Sequence, residues 1–226
     1  MDKPPQHVAI ICDGNRRWAR AKGLPEDTGH KYSAEHVFFE LVEKAARMSI
    51  PYITFWVLST ENERKRSERE MAILFQLMKL HFSKDVSKLQ EKDVKLTFIG
   101  NIEELPNDLR KIITKVEEES KDNKAITVIL ALNYGGRDEI IRAVNTHTSK
   151  EKVTEADFDS ALDTAGTPDP DIIIRTGGEH RLSGFLPWQS VYSELFFTDT
   201  LFPDFKDSEL EKIVTEFSSR ERRFGK

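Results

Sequence analysis

Two stretches of the chain combine arginine with glycine, and each follows a short apolar run typical of a buried strand. The first stretch reads Asp13-Gly14-Asn15-Arg16-Arg17-Trp18. The second runs from Arg175 to Ser183 and contains a glycine pair and Arg181. Backbone N–H groups at a helix start and the forked guanidinium of arginine both suit phosphate oxygens. The two stretches therefore predict two anion sites, each able to hold a polyphosphate.

Asp13 is an acidic residue inside the first predicted anion site. A carboxylate does not bind a phosphate favourably by itself, so we expect a bridging metal ion, and Mg²⁺ is the expected ion. Two anion sites with a carboxylate between them indicate a reaction between two phosphorylated substrates. Simpler interpretations exist for each stretch. An Asp-Gly pair after a strand is most often only a turn, and the second stretch can be a glycine-rich turn among surface arginines.

A third apolar run, Tyr52–Leu58, ends in the small polar residues Ser59-Thr60-Glu61-Asn62. Ligands of open α/β sheets bind at the carboxyl ends of strands, so these side chains are candidates for contact with substrate or metal. The alternative is that they cap the next helix. Further along, Ser67 and Glu70 have the spacing of a capping box at a helix start.

Five short apolar runs are predicted to be buried strands of a parallel sheet, because they lack polar alternation. They are Val8–Cys12, Tyr52–Leu58, Val94–Ile99, Ile126–Leu132 and Asp171–Ile174. Helical patterns cover residues 30–48, 70–88, 107–120, 138–147 and 208–218. This alternation predicts one α/β domain over residues 1–226. Between residues 148 and 170 we expect a polar surface excursion with one short helix.

The composition narrows the class of protein. The chain has 226 residues and a net charge of −5, which argues against nucleic-acid binding because that needs a basic face. Cys12 is the single cysteine, which excludes an internal disulfide and a cysteine-rich zinc site. We find neither a signal-peptide core at the start nor an apolar run long enough to span a membrane. We therefore expect a cytosolic protein, and peripheral contact with a membrane is compatible with this expectation.

Several motifs in a fixed order resemble the cis-prenyltransferase family, the undecaprenyl diphosphate synthases and their relatives. The motifs are His7–Ala19, Gly29–Lys31, Ser59–Asn62, Asn133–Arg137, Asp171–Ser183, Glu194–Phe197, Pro203–Phe205 and Arg220–Gly225. The resemblance covers essentially the whole chain. It implies a single-domain, mostly parallel six-stranded sheet flanked by helices, with a hydrophobic tunnel, and it implies a homodimer.

The resemblance also implies roles for individual residues. The allylic diphosphate would be bound by Gly14, Asn15, Arg16, Arg17, Trp18, His30, Ser59, Glu61 and Arg66. The diphosphate of isopentenyl diphosphate would be bound by Arg175, Arg181, Ser183 and, from across the dimer, Arg223. Mg²⁺ would be held by Asp13 and Glu194. Asp13 and Asn62 would be the catalytic residues, with Asn62 near the reacting carbons.

The implied reaction condenses isopentenyl diphosphate with an allylic diphosphate, such as farnesyl or geranyl diphosphate, to give a cis-polyprenyl diphosphate and free diphosphate. Charge that develops on the leaving oxygens needs arginines, N–H groups and a metal. The proton acceptor stays open between Asn62 acting through water, Asp13 and the diphosphate itself. The family places tunnel-limiting residues near Val57 and Ile126. Val57 is bulkier than the alanine of some long-chain members, which favours a shorter product.

Three positions depart from the family pattern. Glu26 stands where an arginine commonly helps to bind the allylic diphosphate, and Arg16 can compensate because glycine often occupies its position. Glu63 replaces an aromatic residue, and Arg66 comes one residue later than the commonest spacing. These departures concern the identity of the allylic substrate.

Three rival functions remain. The first is an irregular head-to-middle condensation of short prenyl units. The second is a non-catalytic partner subunit, although such subunits tend to lose the first-strand aspartate and the Arg-Thr-Gly-Gly cluster, and this chain has both. The third is a phosphate-binding regulator outside the family.

Overall fold

The computed structural model describes residues 4–65, 67–84, 91–146 and 152–220. Its centre is one sheet of six parallel strands in the order β3-β4-β2-β1-β5-β6. The strands are β1 (His7–Ile11), β2 (Tyr52–Trp56), β3 (Val94–Ile99), β4 (Ile126–Ala131), β5 (Ile172–Arg175) and β6 (Glu194–Phe197). The expected fold class, a single-domain α/β fold, is confirmed.

Helices lie between most of these strands along the chain. The α-helices of the described ranges are α1 (Asn15–Ala21), α2 (Asp27–Tyr32), α3 (Phe38–Arg47), α4 (Thr60–Lys65), α5 (Glu68–Lys84), α6 (Asn107–Ser120), α7 (Gly136–Thr146), α8 (Glu155–Asp159) and α9 (Asp207–Ser219). A π-helical turn, Ser33–Val37, joins α2 to α3, and short 3₁₀ turns lie at Ile102–Glu104 and Phe202–Asp204. Across these ranges, every helix is too short or too polar to cross a membrane.

The five predicted strands are confirmed, and their ends differ from the prediction by at most two residues. The sixth strand, β6, was not predicted as a strand, because it has only four residues and only Phe196 among them is buried. The predicted capping box is confirmed as well. The backbone N–H of Ser67 donates to Oε2 of Glu70 at 3.0 Å, and the backbone N–H of Glu70 donates to Oγ of Ser67 at 3.3 Å.

β1 is the strand that positions the site, and all five of its residues are buried. It lies between β2 and β5, so the chain moves to one side of β1 after the first crossover and to its other side after β4. The carboxyl end of a strand at such a reversal is where ligands of open α/β sheets bind. The register pairs Ile11 at the end of β1 with Trp56 of β2 and with Arg175 of β5. The three polar stretches of the sequence therefore leave the sheet side by side.

His7, the first residue of β1, gives the fold a pH dependence. Burial is the main reason that its pKa falls from 6.5 to about 4, although Nδ1 bonds the backbone oxygen of Pro168 and Nε2 bonds the hydroxyl of Thr54, both at 2.7 Å. As the pH falls, His7 is protonated in the unfolded chain before it is protonated in the folded protein, because its pKa is higher in the unfolded chain. Above pH 6.5 His7 is neutral in both states, and this pKa difference costs no stability. At about pH 5 we expect it to lower the free energy of unfolding by about 2 kcal/mol.

The ring resonances of His7 in a pH titration by NMR check this expectation. They should show protonation near pH 4, the lowered value above. Titration of His7 near pH 6.5, its ordinary value, would contradict it.

Candidate functional site

A polar cavity of about 610 Å³ lies at the carboxyl ends of β1, β2 and β5. Eleven residues predicted for the site line it: Asp13, Gly14, Asn15, Arg16, Arg17, His30, Ser59, Glu61, Asn62, Arg175 and Ser183. The structure thus brings all three polar stretches of the sequence into one site.

Asp13 lies between two arginines of this cavity. Its Oδ2 is 3.0 Å from Nη2 of Arg175, and its Oδ1 is 3.2 Å from Nη2 of Arg17. The guanidinium of Arg175 also donates to the backbone oxygen of Arg181 at 2.5 Å and to Oγ of Ser183 at 2.8 Å. The side chain of Arg175 is only 6% exposed. A buried cation is therefore fixed at the base of the cavity, with a carboxylate beside it.

Hydrogen bonds to the backbone oxygen of Asp13 join the loop after β1 to the loops after β5 and β6. Oγ1 of Thr176 donates to the backbone oxygen of Asp13 at 2.7 Å, and the backbone N–H of Phe202 donates to the same oxygen at 3.0 Å. Gly177 has a φ of +87°, and a Cβ there would lie 2.5 Å from Nη2 of Arg17. Glycine is required at this position both for the backbone conformation and for the approach of Arg17 to Asp13.

Asn15, the first residue of α1, ties three elements together. Its Nδ2 donates to the backbone oxygen of Cys12 at 2.9 Å, and its Oδ1 accepts from Oγ of Ser33 at 2.7 Å. α2 packs closely against it, because a Cβ at Gly29 would lie 2.1 Å from the backbone oxygen of Asn15. These contacts hold α1 and α2 in place and set His30 at the wall of the cavity.

Trp18 is the predicted substrate contact on α1 that the structure does not bring to the cavity. Its ring is buried and stacks on Tyr32 with centroids 5.0 Å apart, and its Nε1 donates to Oδ1 of Asp204 at 2.8 Å. The helical phase explains this placement. The buried face of α1 is formed by Asn15, Trp18 and Ala19, so Trp18 anchors the helix to the core.

Two residues that the sequence reasoning missed contribute to the site. Arg20 lines the cavity, and its position four residues after Arg16, on the same side of α1, was the available signal. Thr176 is fully buried and joins two loops. It lies within the predicted second stretch, but its role depends on the adjacency of β1 and β5, which residue types alone do not reveal.

Ser59 combines the two roles that the sequence left open for the third stretch. Its Oγ accepts from the backbone N–H of Asn62 at 3.0 Å, which caps the start of α4. Ser59, Glu61 and Asn62 also line the polar cavity, and the last two have exposed side chains. The capping bond therefore turns this short helix toward the cavity.

An apolar cavity of about 140 Å³ adjoins the polar one, between the sheet and helices α3 and α5. Its apolar walls include Phe38, Phe39, Val42, Phe55, Leu74, Leu77, Met78, Phe82, Leu96, Val128 and Leu130. Four residues, Cys12, Asn15, His30 and Val57, line both cavities and form their junction. Burial raises the pKa of the Cys12 thiol well above its usual range, so the junction carries a neutral thiol.

Only one of the two predicted chain-length residues touches these cavities. Val57 lies at the junction, whereas Ile126 is buried in the core at the amino end of β4. Val128 and Leu130 line the apolar cavity. They are on the same strand face as Ile126 but lie nearer the carboxyl end of β4. The tunnel role of Ile126 stays a prediction, since the structure places it on the same strand face but beyond the residues that line the cavity.

Glu194 lies away from Asp13 within one chain. It is the first residue of β6 and pairs in register with Ile172, three positions before the level of Arg175 and about 10 Å along the strand. Its carboxylate is 2.6 Å from Nη1 of Arg220. The predicted sharing of a metal ion by Asp13 and Glu194 is therefore not seen within the chain, since the strand register separates them.

The remaining predicted contacts to isopentenyl diphosphate and the allylic substrate have different outcomes. Arg181 is exposed and pairs with Glu179, and it is not among the residues that line the polar cavity. Only its backbone oxygen reaches the site, through Arg175. Arg66 and Arg223 lie outside the described residues.

Asp13 supplies a donor that fits Mg²⁺. Magnesium is commonly bound by one or two carboxylates together with substrate phosphates. The Asp13 carboxylate is 32% exposed and lies between arginines that suit those phosphates. In the described ranges, groups of three or more His, Cys, Asp and Glu with metal-binding geometry do not occur. The site therefore fits an ion shared between Asp13 and substrate oxygens.

Comparisons with known proteins agree with this geometry. Residues 11–225 match the family model described as putative undecaprenyl diphosphate synthase. An isoprenyl transferase from Aquifex pyrophilus is 43% identical over 99% of this chain and 97% of its own length. One from Treponema denticola is 40% identical over 100% and 99% of the two chains.

Two solved structures have the same fold. Lavandulyl diphosphate synthase from Lavandula x intermedia, in complex with dimethylallyl diphosphate, is 34% identical over 99% of both chains, with a TM-score of 0.93. A probable undecaprenyl diphosphate synthase from Campylobacter jejuni is 33% identical over 100% of both chains, with a TM-score of 0.84. Together with the match to the family model, this establishes that the chain belongs to the undecaprenyl diphosphate synthase family of isoprenyl transferases.

Proposed function

We propose that this protein is a cis-prenyltransferase that condenses isopentenyl diphosphate with an allylic prenyl diphosphate and releases diphosphate. The observation that carries the proposal is the junction of an arginine-lined cavity with an apolar cavity at Cys12, Asn15, His30 and Val57. An allylic diphosphate has the matching form, since it joins an anionic head to a hydrocarbon tail. The tail would lie in the apolar cavity, which excludes water from the growing chain.

The allylic diphosphate would bind on the α1 side of the polar cavity. Arg17 is held there by Asp13 at 3.2 Å, and His30 lies at the junction with the apolar cavity. As the bond from the allylic carbon to oxygen breaks, negative charge grows on the leaving diphosphate. Guanidinium groups already in place stabilise that charge without reorganisation.

Isopentenyl diphosphate would bind on the β5 side, at Arg175 and Ser183. The bonds of Arg175 to Asp13, to Ser183 and to the backbone oxygen of Arg181 orient its guanidinium before substrate arrives. The double bond of isopentenyl diphosphate then attacks the allylic carbon. One new carbon–carbon bond forms, diphosphate leaves, and one proton is lost.

Asp13 has a central position between the two diphosphate sites. We propose that it holds Mg²⁺ together with substrate oxygens, and the bound ion would supply positive charge to the leaving diphosphate. Arg17 and Arg175 fix the two oxygens of the Asp13 carboxylate in direction. The proton acceptor is one of three candidates: Asp13, the diphosphate itself, or water held by Asn62, whose side chain is exposed at the cavity wall.

A homodimer is part of the proposal. Val191 and Tyr192 are 71% and 69% exposed just before the edge strand β6, and Leu195 within that strand is 39% exposed. An exposed apolar group beside an open sheet edge suits a protein interface. The mass measured by sedimentation should be about twice the chain mass of 26.0 kDa. A monomer at micromolar concentration would contradict the proposed homodimer. A cytosolic location and peripheral membrane contact stay predictions.

One alternative is favoured by a specific observation. The similarity to lavandulyl diphosphate synthase, with a TM-score of 0.93, makes an irregular head-to-middle condensation of short prenyl units the second candidate. The apolar cavity, about 140 Å³ in volume, offers a place for a hydrocarbon tail in either reaction, so the structure of the product distinguishes the two candidates. Product formed from dimethylallyl diphosphate alone would support the irregular reaction.

Labelled isopentenyl diphosphate tests the proposed function. With Mg²⁺ and primers of two to four isoprene units, we expect label to enter a solvent-extractable lipid only when both substrates are present. The partner-subunit and regulator alternatives predict no incorporation with any primer.

Val57→Ala is expected to lengthen the product. Val57 lies at the junction of the two cavities, so a smaller side chain widens the passage through which the chain is fed. Product sizes from the same primer should shift toward longer chains. Val116→Ala is the matched control, because it makes the same change at a buried side chain outside both cavities and should leave product length unchanged. An unchanged distribution for Val57→Ala would refute the assignment.

A further inference from the structure

Glu26 holds two of the arginines that line the polar cavity. Its Oε2 accepts a hydrogen bond from Nε of Arg16, and its Oε1 is 3.3 Å from Nε of Arg20. Arg16 is also 3.5 Å from Oε1 of Glu70 at the start of α5. Glu26 itself lines a neighbouring surface groove that shares Arg16 and His30 with the polar cavity. One carboxylate at the rim thus engages half of the cavity's four arginines.

The charge balance of the cavity shows what this carboxylate does. The described lining residues include four arginines and two carboxylates, Asp13 and Glu61, which leaves a net charge of +2 with His30 neutral. Asp13 pairs with Arg17 and Arg175, of which Arg175 is buried. Glu26 occupies the other two and cancels half of the remaining positive charge. A diphosphate that approaches the Nε edge of Arg16 or Arg20 therefore competes with Glu26 for that arginine.

We propose that Glu26 is an affinity-determining residue, which competes with the allylic diphosphate for Arg16 and Arg20 and so weakens binding of the head group. This inference rests on the proposed function, since it concerns the same site. A weaker site for the head group also releases free diphosphate more readily after transfer. It leaves more of the binding free energy of the substrate to its hydrocarbon tail.

The geometry allows one opposing interpretation, in which Glu26 orients the two arginines for the substrate. Both interpretations predict an effect of Glu26→Gln, but the signs differ. Loss of a competitor strengthens diphosphate binding, whereas loss of an orienting partner weakens it. Glu26 is 39% exposed and its side chain makes no capping bond to α2, so the substitution should leave the fold intact.

Calorimetric titration with inorganic pyrophosphate tests the sign without requiring turnover. We expect Glu26→Gln to bind pyrophosphate about tenfold more tightly than the wild type at low ionic strength. Most of this gain should disappear at about 1 M salt, where the screening length falls to about 3 Å. Glu43→Gln is the matched control. Glu43 is equally exposed, at 39%, and pairs with Lys92 and Arg47, but it does not line the polar cavity.

Kinetics provide the second readout. The KM for the allylic diphosphate should fall in Glu26→Gln, and the KM for isopentenyl diphosphate should change less than about twofold, because Arg175 and Ser183 are untouched. Pyrophosphate affinity that is unchanged or weaker in Glu26→Gln would overturn the inference. If the wild type transfers no prenyl group but Glu26→Gln still binds pyrophosphate more tightly, the proposed function fails and the role of Glu26 stands.

Discussion

Replacement of Asp13 by asparagine is expected to lower turnover by about 10³-fold or more. The asparagine side chain keeps one acceptor oxygen, which can serve Arg175, but it loses the second acceptor and the charge that would bind Mg²⁺ beside the two diphosphates. A metal that stabilises a leaving group is worth several kcal/mol, and each 1.36 kcal/mol is about tenfold in rate. Steady-state incorporation of labelled isopentenyl diphosphate at saturating Mg²⁺ measures the effect.

The fold should survive this substitution. Arg175 keeps its bonds to Ser183 and to the backbone oxygen of Arg181, and the Asp13 side chain is already 32% exposed. Asp108→Asn is the matched control, because it removes the same charge from an exposed ion pair with Lys79 on α5 and α6. It should retain full activity. Turnover of Asp13→Asn above about a tenth of the wild-type rate would be incompatible with the assigned role.

Arg175→Lys is expected to raise the KM for isopentenyl diphosphate by about 10²-fold, while the KM for the allylic primer changes less than about threefold. A lysine keeps the charge but lacks the fork with which Arg175 contacts Asp13, Ser183 and the backbone oxygen of Arg181 at once. Hydrogen bonds that involve a charged group contribute about 1.5–3 kcal/mol each, so loss of one or two accounts for this change.

Comparison of the two KM values distinguishes damage to the isopentenyl diphosphate site from damage to the whole active site. Ser183→Ala, which removes one hydroxyl at the cavity wall, should raise the same KM by about tenfold and leave the primer KM unchanged. Arg47→Lys is the control, since Arg47 is exposed and pairs with Glu43 and Asp207 away from the site. An equal rise of both KM values in Arg175→Lys would argue against separate sites for the two diphosphates.

The sequence predicted the position of the site where charged residues directly follow a predicted strand. Asp13 and Arg175 each follow a buried apolar run, and parallel strands direct their carboxyl ends to one edge, so a shared polar site was predictable. The order of the strands was not predictable from residue types. The adjacency of β1 and β5, which brings Arg175 within 3.0 Å of Asp13, is visible only in the structure.

The sequence did not show where helical phase or strand register places an individual side chain. Trp18 lies in the middle of the arginine-rich stretch, but the phase of α1 turns it to the core while Arg20 faces the cavity. Ile126 is on the same strand face as Val128 and Leu130, but it lies at the amino end of β4 and does not line the cavity. Glu194 begins β6, so its register places it toward the amino ends of the strands, whereas Asp13 follows the carboxyl end of β1. Motif spacing does not contain this information.

The most direct test of the central claim is the structure of the product made from labelled isopentenyl diphosphate and an allylic primer with Mg²⁺. We expect one diphosphate released per isoprene unit added, and NMR of the purified product should show that each new double bond has the Z configuration. Absence of incorporation with every primer of two to four isoprene units, or new double bonds of the E configuration, would contradict the proposal.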